Sequence, residues 1–226
     1  MTRIALIHAL AHSVAPVNEE FERQWPSAQL MNLLDDSLSA DLARSATGLD
    51  DAVDARFDAL ADYALRTGAQ GILFTCSAFG TCIEKVARRL APLPVLKPNE
   101  AMIEAALAHG GRIGLVASFA PTLRSMPAEF PPGAQLDTEL AEGALDALNR
   151  GDVDAHDECA ARAALALRAR GCGVIALAQF SLARAHARVA ERTGLPVLTT
   201  VDTAVRKLHR LLGYNQPVTT SAAARR

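Results

Sequence analysis

Gly71-Ile72-Leu73-Phe74-Thr75-Cys76 and Gly173-Val174-Ile175-Ala176-Leu177-Ala178 are the stretches on which the fold of this chain turns. Both are short apolar runs, the pattern of a strand buried on both faces of a parallel sheet. Both lead through a helical stretch to the same tetrad, Leu93-Pro94-Val95-Leu96 in the first half and Leu195-Pro196-Val197-Leu198 in the second. A helix start follows each tetrad, at Asn99-Glu100-Ala101 and at Asp202-Thr203-Ala204. One echo per half points to two related α/β lobes rather than a barrel or a solenoid.

The same rhythm extends in both directions. Strand-like runs at Ile4–Ile7, Leu30–Leu34, Pro94–Leu96, Arg112–Ala117, near Gln135–Asp137 and at Pro196–Thr199 alternate with helical stretches. The helices are expected up to Trp25, over Asp51–Arg66, Phe79–Leu90 and Asn99–His109, from Pro121, up to Arg170, and over Leu182–Thr193 and Asp202–Leu212. Strictly alternating βα units imply parallel sheets covered by helices, about four strands in each lobe. The expected lobes are residues 1–98 with about 205–216, and residues 99–204, with 217–226 as a flexible tail. Ligands of such sheets sit at the carboxyl ends of the strands, so the cleft between the lobes is the expected site.

Composition narrows the function. The 226 residues are 50% hydrophobic, 21% charged and 4% aromatic, with a net charge of −2, enough apolar material for a packed core. Near-neutral charge with scattered arginines argues against a nucleic-acid surface. No apolar run reaches a membrane span and no cleavable leader opens the chain, so a cytoplasmic location is expected. Cys76, Cys82, Cys159 and Cys172 are too scattered for a disulfide framework and lack zinc spacing. No metal and no cofactor is expected.

Phe74-Thr75-Cys76-Ser77-Ala78-Phe79-Gly80 carries the sharpest chemical signal. Its thiol falls where a strand gives way to a helix, where backbone N–H groups receive anions and the helix dipole favours a thiolate. A small buried cysteine is the structural alternative. Cys82, two turns along, reads as structural.

This strand–Cys–Ser turn, its echo and the two-lobe layout resemble the aspartate/glutamate racemase superfamily, which includes glutamate, aspartate and hydantoin racemases, maleate isomerase and arylmalonate decarboxylase. The resemblance runs to about Leu212. It implies a cofactor-free site between two pseudo-symmetric lobes, where cysteines move a proton at a carbon next to a carboxylate or carbonyl. Cys76 then falls at the catalytic position, with Ser77 and Ala78 holding the carboxylate or oxyanion. Val116-Ala117-Ser118-Phe119-Ala120-Pro121-Thr122 resembles the family's carboxylate-holding turn, Ser118 and Thr122 supplying hydroxyls; an ordinary helix cap is the alternative.

The second motif departs from the family. Where its opposing cysteine is expected, this chain reads Leu177-Ala178-Gln179-Phe180-Ser181, and neither Ala178 nor Gln179 exchanges a proton. Gln179 would instead hydrogen-bond the substrate. A racemase needs proton transfer on two faces, whereas stereospecific protonation of an enolate needs one thiol, as in decarboxylation in the manner of arylmalonate decarboxylase. That enzyme keeps the cysteine of the other lobe, so the likeness is one of principle. The family's usual polar patterns after the first strand are also absent, and Ile7-His8-Ala9-Leu10-Ala11-His12-Ser13 offers His8 as a substitute acid/base, against a hydrogen-bonded loop histidine. Asp35-Asp36-Ser37 reads as a solvated turn, Glu100 as a first-turn carboxylate, and Thr199, Thr200 and Asp202 as helix capping.

These readings converge on a cofactor-independent enzyme of the racemase/isomerase type acting on a small carboxylate, amino-acid or hydantoin-like substrate, with no nucleic-acid or membrane partner. A homodimer or larger homo-oligomer is the default for such enzymes. A one-cysteine decarboxylase is the alternative, and a non-catalytic binder of small carboxylates the rival from another class.

Overall fold

A computed structural model describes residues 1–45 and 48–212; the expected tail at 217–226 lies outside them. Two four-stranded sheets carry the fold, and every neighbouring pair of strands is parallel. The first holds β1 (Arg3–His8), β2 (Gln29–Leu34), β3 (Gly71–Phe74) and β4 (Val95–Leu96) in the order β2-β1-β3-β4. The second holds β5 (Ile113–Ala117), β6 (Leu136–Leu140), β7 (Val174–Leu177) and β8 (Val197–Thr199) in the equivalent order β6-β5-β7-β8.

Burial explains the strand sequences. Every residue of β3, β5 and β7 is buried, because helices cover both faces of each sheet. On one face of the first sheet, Ile72 and Phe74 pack with Phe57 and Ala61 of α3 (Asp51–Arg66) and Ile83 and Val86 of α4 (Gly80–Leu90). The other face packs Ile4, Leu6 and Leu73 with Val17 and Phe21 of α1 (Val14–Gln24). In the second sheet, Val116, Ile175 and Leu177 pack with Ala160, Ala164 and Leu167 of α8 (Val153–Ala169) and Val189 of α9 (His186–Thr193). α8 lies close enough that a Cβ on Gly114 would stand 3.0 Å from Leu167 Cβ, so a larger residue at that strand position would push α8 away.

Two helices exchange lobes. α5 (Glu100–His109) follows β4 of the first sheet, yet its Met102, Ile103 and Ala106 pack with Leu115 and Ala176 of the second. α10 (Thr200–Leu211) follows β8 of the second sheet, yet Val201, Ala204, Val205 and Leu208 pack on Ile4, Leu6 and Leu73 of the first. Gly71 makes room for it: a Cβ there would lie 3.3 Å from Leu208 Cδ2. Lys207 of α10 donates to Glu100 and Glu104 of α5, both at 2.7 Å. Glu100 is thus an ion-pair partner between the exchanged helices.

One element differs from the reading of the sequence. Asp35-Asp36-Ser37 leads into a helix, α2 (Ser37–Arg44), instead of a solvated turn. Leu38 is buried beneath it, and Arg56 of α3 ties Asp35, Ser37 and Asp41 at 2.7, 2.6 and 2.7 Å. These tertiary contacts stabilise a helix too short to hold on propensity. The stretch up to Arg170 divides into α7 (Ala144–Asn149) and α8, with Gly151 at φ 76 between them. The region from Pro121 gives α6 (Ala120–Ser125) and a 3₁₀ turn, Met126–Glu129.

Candidate active site

Cys76 stands two residues beyond the end of β3, capping the 3₁₀ turn Ser77–Phe79 that leads into α4. The strand brings it to the carboxyl edge of the sheet, and Phe74 and Phe79 on either side are anchored against Phe57, with ring centroids 5.2 and 4.9 Å away. The thiol is half-buried beside Ile7, His8, Ala9, Leu38 and Phe57, in a crevice too narrow for a water molecule. Burial pushes its pKa above the ordinary thiol value; hydrogen bonds from the Ala78 N–H and from Ser39 oppose that rise in part. The resting group is therefore the protonated thiol at neutral pH. This corrects the expectation that the helix start favours a thiolate: desolvation outweighs it.

Ser39 was not legible as a site residue. It lies on α2, and its hydroxyl donates to the Ala9 carbonyl at 3.0 Å while also reaching Cys76. No local motif announces it, because its place depends on the tertiary anchoring of α2. Ser77 and Ala78 are exposed beside Cys76, so Ala78 supplies its backbone N–H to the sulfur.

His8, expected as a substitute acid or base, is 0% exposed. Its Nε2–H donates to Asn32 Oδ1 and its Nδ1 accepts from the Thr75 hydroxyl, both at 2.9 Å. Burial lowers its pKa, although the Asn32 bond raises it somewhat. Both ring nitrogens are engaged, so the imidazole has none to present to a substrate in this arrangement. It ties β2, β1 and β3 together one residue short of Cys76.

The register of the two sheets fixes which residue of the second lobe is equivalent to Cys76. Ile4 pairs with Gly71 in the first sheet and Ile113 with Val174 in the second. Cys76 lies five residues beyond Gly71, and Gln179 lies five beyond Val174. Each caps a 3₁₀ turn from an extended backbone, φ −125° for Cys76 and φ −134° for Gln179. Thr75 N–H donates to Ile7 and Ala178 N–H to Val116, the same bond in each lobe. Gln179 therefore occupies the position equivalent to Cys76, where the sequence left Ala178 and Gln179 both open.

Gln179 is not free. Its Oε1 accepts from the Ser118 backbone N–H at 2.6 Å and from the Ser118 hydroxyl at 3.0 Å. This alters two expectations, since the donors assigned to a substrate carboxylate hold Gln179, and the Gln179 oxygen bonds Ser118 across adjacent strand ends of its own lobe. Ser118 does not cap α6, whose cap is Phe119. Thr122 is half-buried in α6. The turns of the two lobes meet: the 3₁₀ turn Ala11–Ser13 touches the turn Phe180–Ala185, and Phe180 enters the first-lobe core beside Leu73 and Leu96.

The remaining candidates are structural. Burial first, then the Asp54 carboxylate, push the Cys82 thiol up to about 11. Cys172 lies just before β7, at the opposite end from Gln179. Thr199 accepts from the Asp202 N–H at 3.0 Å and caps α10. Among the described residues no group of three or more His, Cys, Asp or Glu is placed to hold a metal, and no helix is long and apolar enough to cross a membrane.

A family model described as Asp/Glu/hydantoin racemase matches residues 11–208. A search of curated proteins finds no match. Among solved structures, a glutamate racemase isoform from Bacillus anthracis is 13% identical, with a TM-score of 0.70 over 93% of this chain and 81% of that one. Allantoin racemase from Klebsiella pneumoniae is 19% identical, with a TM-score of 0.67 over 94% and 88%. Unliganded arylmalonate decarboxylase is 16% identical, with a TM-score of 0.65 over 96% and 95%. At these identities the structures speak for the fold alone.

Proposed function

The chain belongs to the Asp/Glu/hydantoin racemase family, and on that premise we propose that it is a cofactor-independent enzyme moving a proton at a carbon alpha to a carboxylate or carbonyl, with Cys76 as the acid/base. The observation that carries this reading is the position of Cys76: the end of an inner strand, at the carboxyl edge of the sheet, where the Ala78 N–H and the Ser39 hydroxyl offset part of the rise that burial imposes on its pKa. Such a thiol gives its proton, and the thiolate left behind takes one back to restore the resting form. Ser77, Ala78 and Thr122 are the groups we assign to the substrate's anionic oxygens, with Ser118 joining once Gln179 releases it. Each preorganised donor at a developing oxyanion contributes about 3–4 kcal/mol, which a weak carbon acid requires. His8 we assign to positioning, through Thr75.

Two features favour a one-thiol reaction within this class. Gln179 stands where a second thiol would, and an amide does not exchange protons. The Cys76 thiol also rests protonated, ready to deliver a proton to an enolate. Loss of CO2 followed by protonation on one face is thus our second reading, ahead of two-face racemisation. Chiral chromatography tests the pair: amino acids, 5-substituted hydantoins and substituted malonates are incubated with wild type and Cys76→Ala. Product of single configuration formed only with Cys76 supports the one-thiol reaction, and equal enantiomers formed only with Cys76 support racemisation. No Cys76-dependent product from any class would leave a small-carboxylate binder as the better account.

A further inference from the structure

One side of Cys76 is covered by a helix that the molecule holds only lightly. Ser39 of α2 reaches the Cys76 sulfur and donates to the Ala9 carbonyl at 3.0 Å. Leu38, one residue before it, is buried and lines the crevice beside the thiol. That crevice has no room for a water molecule. A carbon that exchanges its proton with a thiol must come within about 3–3.5 Å of the sulfur. With α2 in place, the α2 side of the thiol admits nothing of that size.

The second lobe shows how the corresponding helix is fixed when it is purely structural. α7 follows the edge strand β6 and precedes the long helix α8, as α2 follows the edge strand β2 and precedes α3. α7 packs closely along α8, with Ala144 in the same core as Ala160 and Ala161. Among the described residues, no helix or strand lies comparably close along α2. The side chain of Asp36 does not cap its start. What holds α2 is Leu38, the partly buried Leu42, and the Arg56 guanidinium, which bonds Asp35 at 2.7, Ser37 at 2.6 and Asp41 at 2.7 Å. Water reaches these pairs, since the Arg56 side chain is 33% exposed and that of Asp41 48%. Such ion pairs contribute little each and weaken in salt, and elements with few buried contacts open at low free energy. Arg56 therefore fastens α2 firmly enough to place it and loosely enough to release it.

We propose that α2 is a gate over Cys76 with Arg56 as its latch, opening to admit substrate to the thiol and reclosing over it. The gate rests on the reading of Cys76 as the proton-transfer group. Reclosing returns the Ser39 hydroxyl to the sulfur and keeps water from the reacting carbon, as lids do.

Alkylation of Cys76 reads the gate without any substrate. Rates are taken with iodoacetamide and with the bulkier N-pyrenylmaleimide, whose ratio cancels changes in thiolate fraction and leaves access. Cys82, buried in the same core, reports general loosening. Arg56→Ala is expected to speed the bulky reagent at Cys76 by about tenfold, the scale of a small cluster of exposed ion pairs. Iodoacetamide should gain less, and Cys82 should not change. In wild type, raising sodium chloride from about 0.05 M to about 1 M, where the screening length falls to about 3 Å, should speed the bulky reagent about threefold. Arg56→Ala should not respond to salt. Arg56→Lys, which keeps the charge and loses the fork, should fall between the two. Equal Cys76 rates in wild type and Arg56→Ala would overturn the gate, as would an equal gain for both reagents or a matching rise at Cys82. A wild-type rate indifferent to salt would overturn Arg56 as its latch. Gated alkylation with no Cys76-dependent turnover of any substrate would sustain the gate and overturn the proton-transfer reading.

Discussion

Cys76 illustrates how one side chain's chemistry depends on neighbours distant in sequence. The strand end and the turn after it are local properties, and both were legible in the run from Phe74 to Gly80. Its protonation state was not, because desolvation by Leu38, Phe57 and His8 is tertiary. A raised thiol pKa has a definite sign: if the thiol acts as acid, activity is full at neutral pH and falls only as pH climbs through that raised value. If it acted as base, activity would rise over the same range, so a pH profile of turnover separates the two. Ser39→Ala removes a hydroxyl that stabilises the thiolate, and the pH midpoint of Cys76 alkylation is expected to move further up. An unchanged midpoint would show that Ser39 serves α2 alone. His8 makes an opposite prediction about stability. Its folded pKa is lowered, so the unfolded chain takes up its proton first, below about pH 6.5. The stability that neutral His8 contributes is present above that value and is lost as pH falls below it. Melting curves at pH 7 and pH 5 should show a smaller acid-induced loss in His8→Gln than in wild type.

Among elements, the strands were the legible part. All eight runs became strands within a residue or two at most ends, since unbroken apolar stretches bounded by turn residues have few other uses. β6 ran on to Leu140 because only its first residues carried a visible pattern. α2 was missed because its sequence, Ser37-Leu38-Ser39-Ala40-Asp41, looks like a turn until Leu38 and the Arg56 ties are known. Arg56→Ala should therefore loosen α2 specifically, speeding hydrogen exchange across residues 37–44 and exposing Cys76 to alkylation while the rest of the chain stays protected. The pairing of Gln179 with Cys76 belongs to this scale too. A sequence echo aligns Gly71 with Gly173, whereas the hydrogen-bonded register aligns it with Val174, and one residue decides which side chain is the counterpart of the thiol. Gln179→Cys places a thiol at that position. Under two-face chemistry it should convert a product of single configuration into a mixture, whereas Ala178→Cys, with its side chain on the other face of the extended backbone, should not.

At the scale of the whole molecule, the two-lobe layout followed from the internal echo, and the return of the last helix to the first lobe is visible in its packing. Leu208 stands at the centre of that return, buried among Ile4, Leu73 and Gly71. Leu208→Ala should cost about 2–5 kcal/mol, the usual cost of such a cavity, measurable by urea unfolding. Lys207 is largely buried where it joins Glu100 and Glu104 between the same helices, so Lys207→Met, which leaves both carboxylates without their partner, should lower stability by about 1–3 kcal/mol. The least legible feature was the occupation of Ser118 by Gln179. Both residues stand out in the sequence, one for a substrate carboxylate and one for a substrate hydrogen bond. Their mutual bond depends on β5 and β7 ending side by side, which no spacing along the chain reveals.

Proton transfer by Cys76 is the claim on which these expectations depend, and isotope labelling addresses it most directly. The protein and its Cys76→Ala variant are incubated in heavy water with 5-substituted hydantoins, substituted malonates and amino acids, and the alpha carbon is followed by NMR. Deuterium entering that carbon with wild type, at a rate reduced at least a thousandfold in Cys76→Ala, is the predicted result. Deuterium entering equally with both proteins, or entering none of the substrates with either, would contradict it.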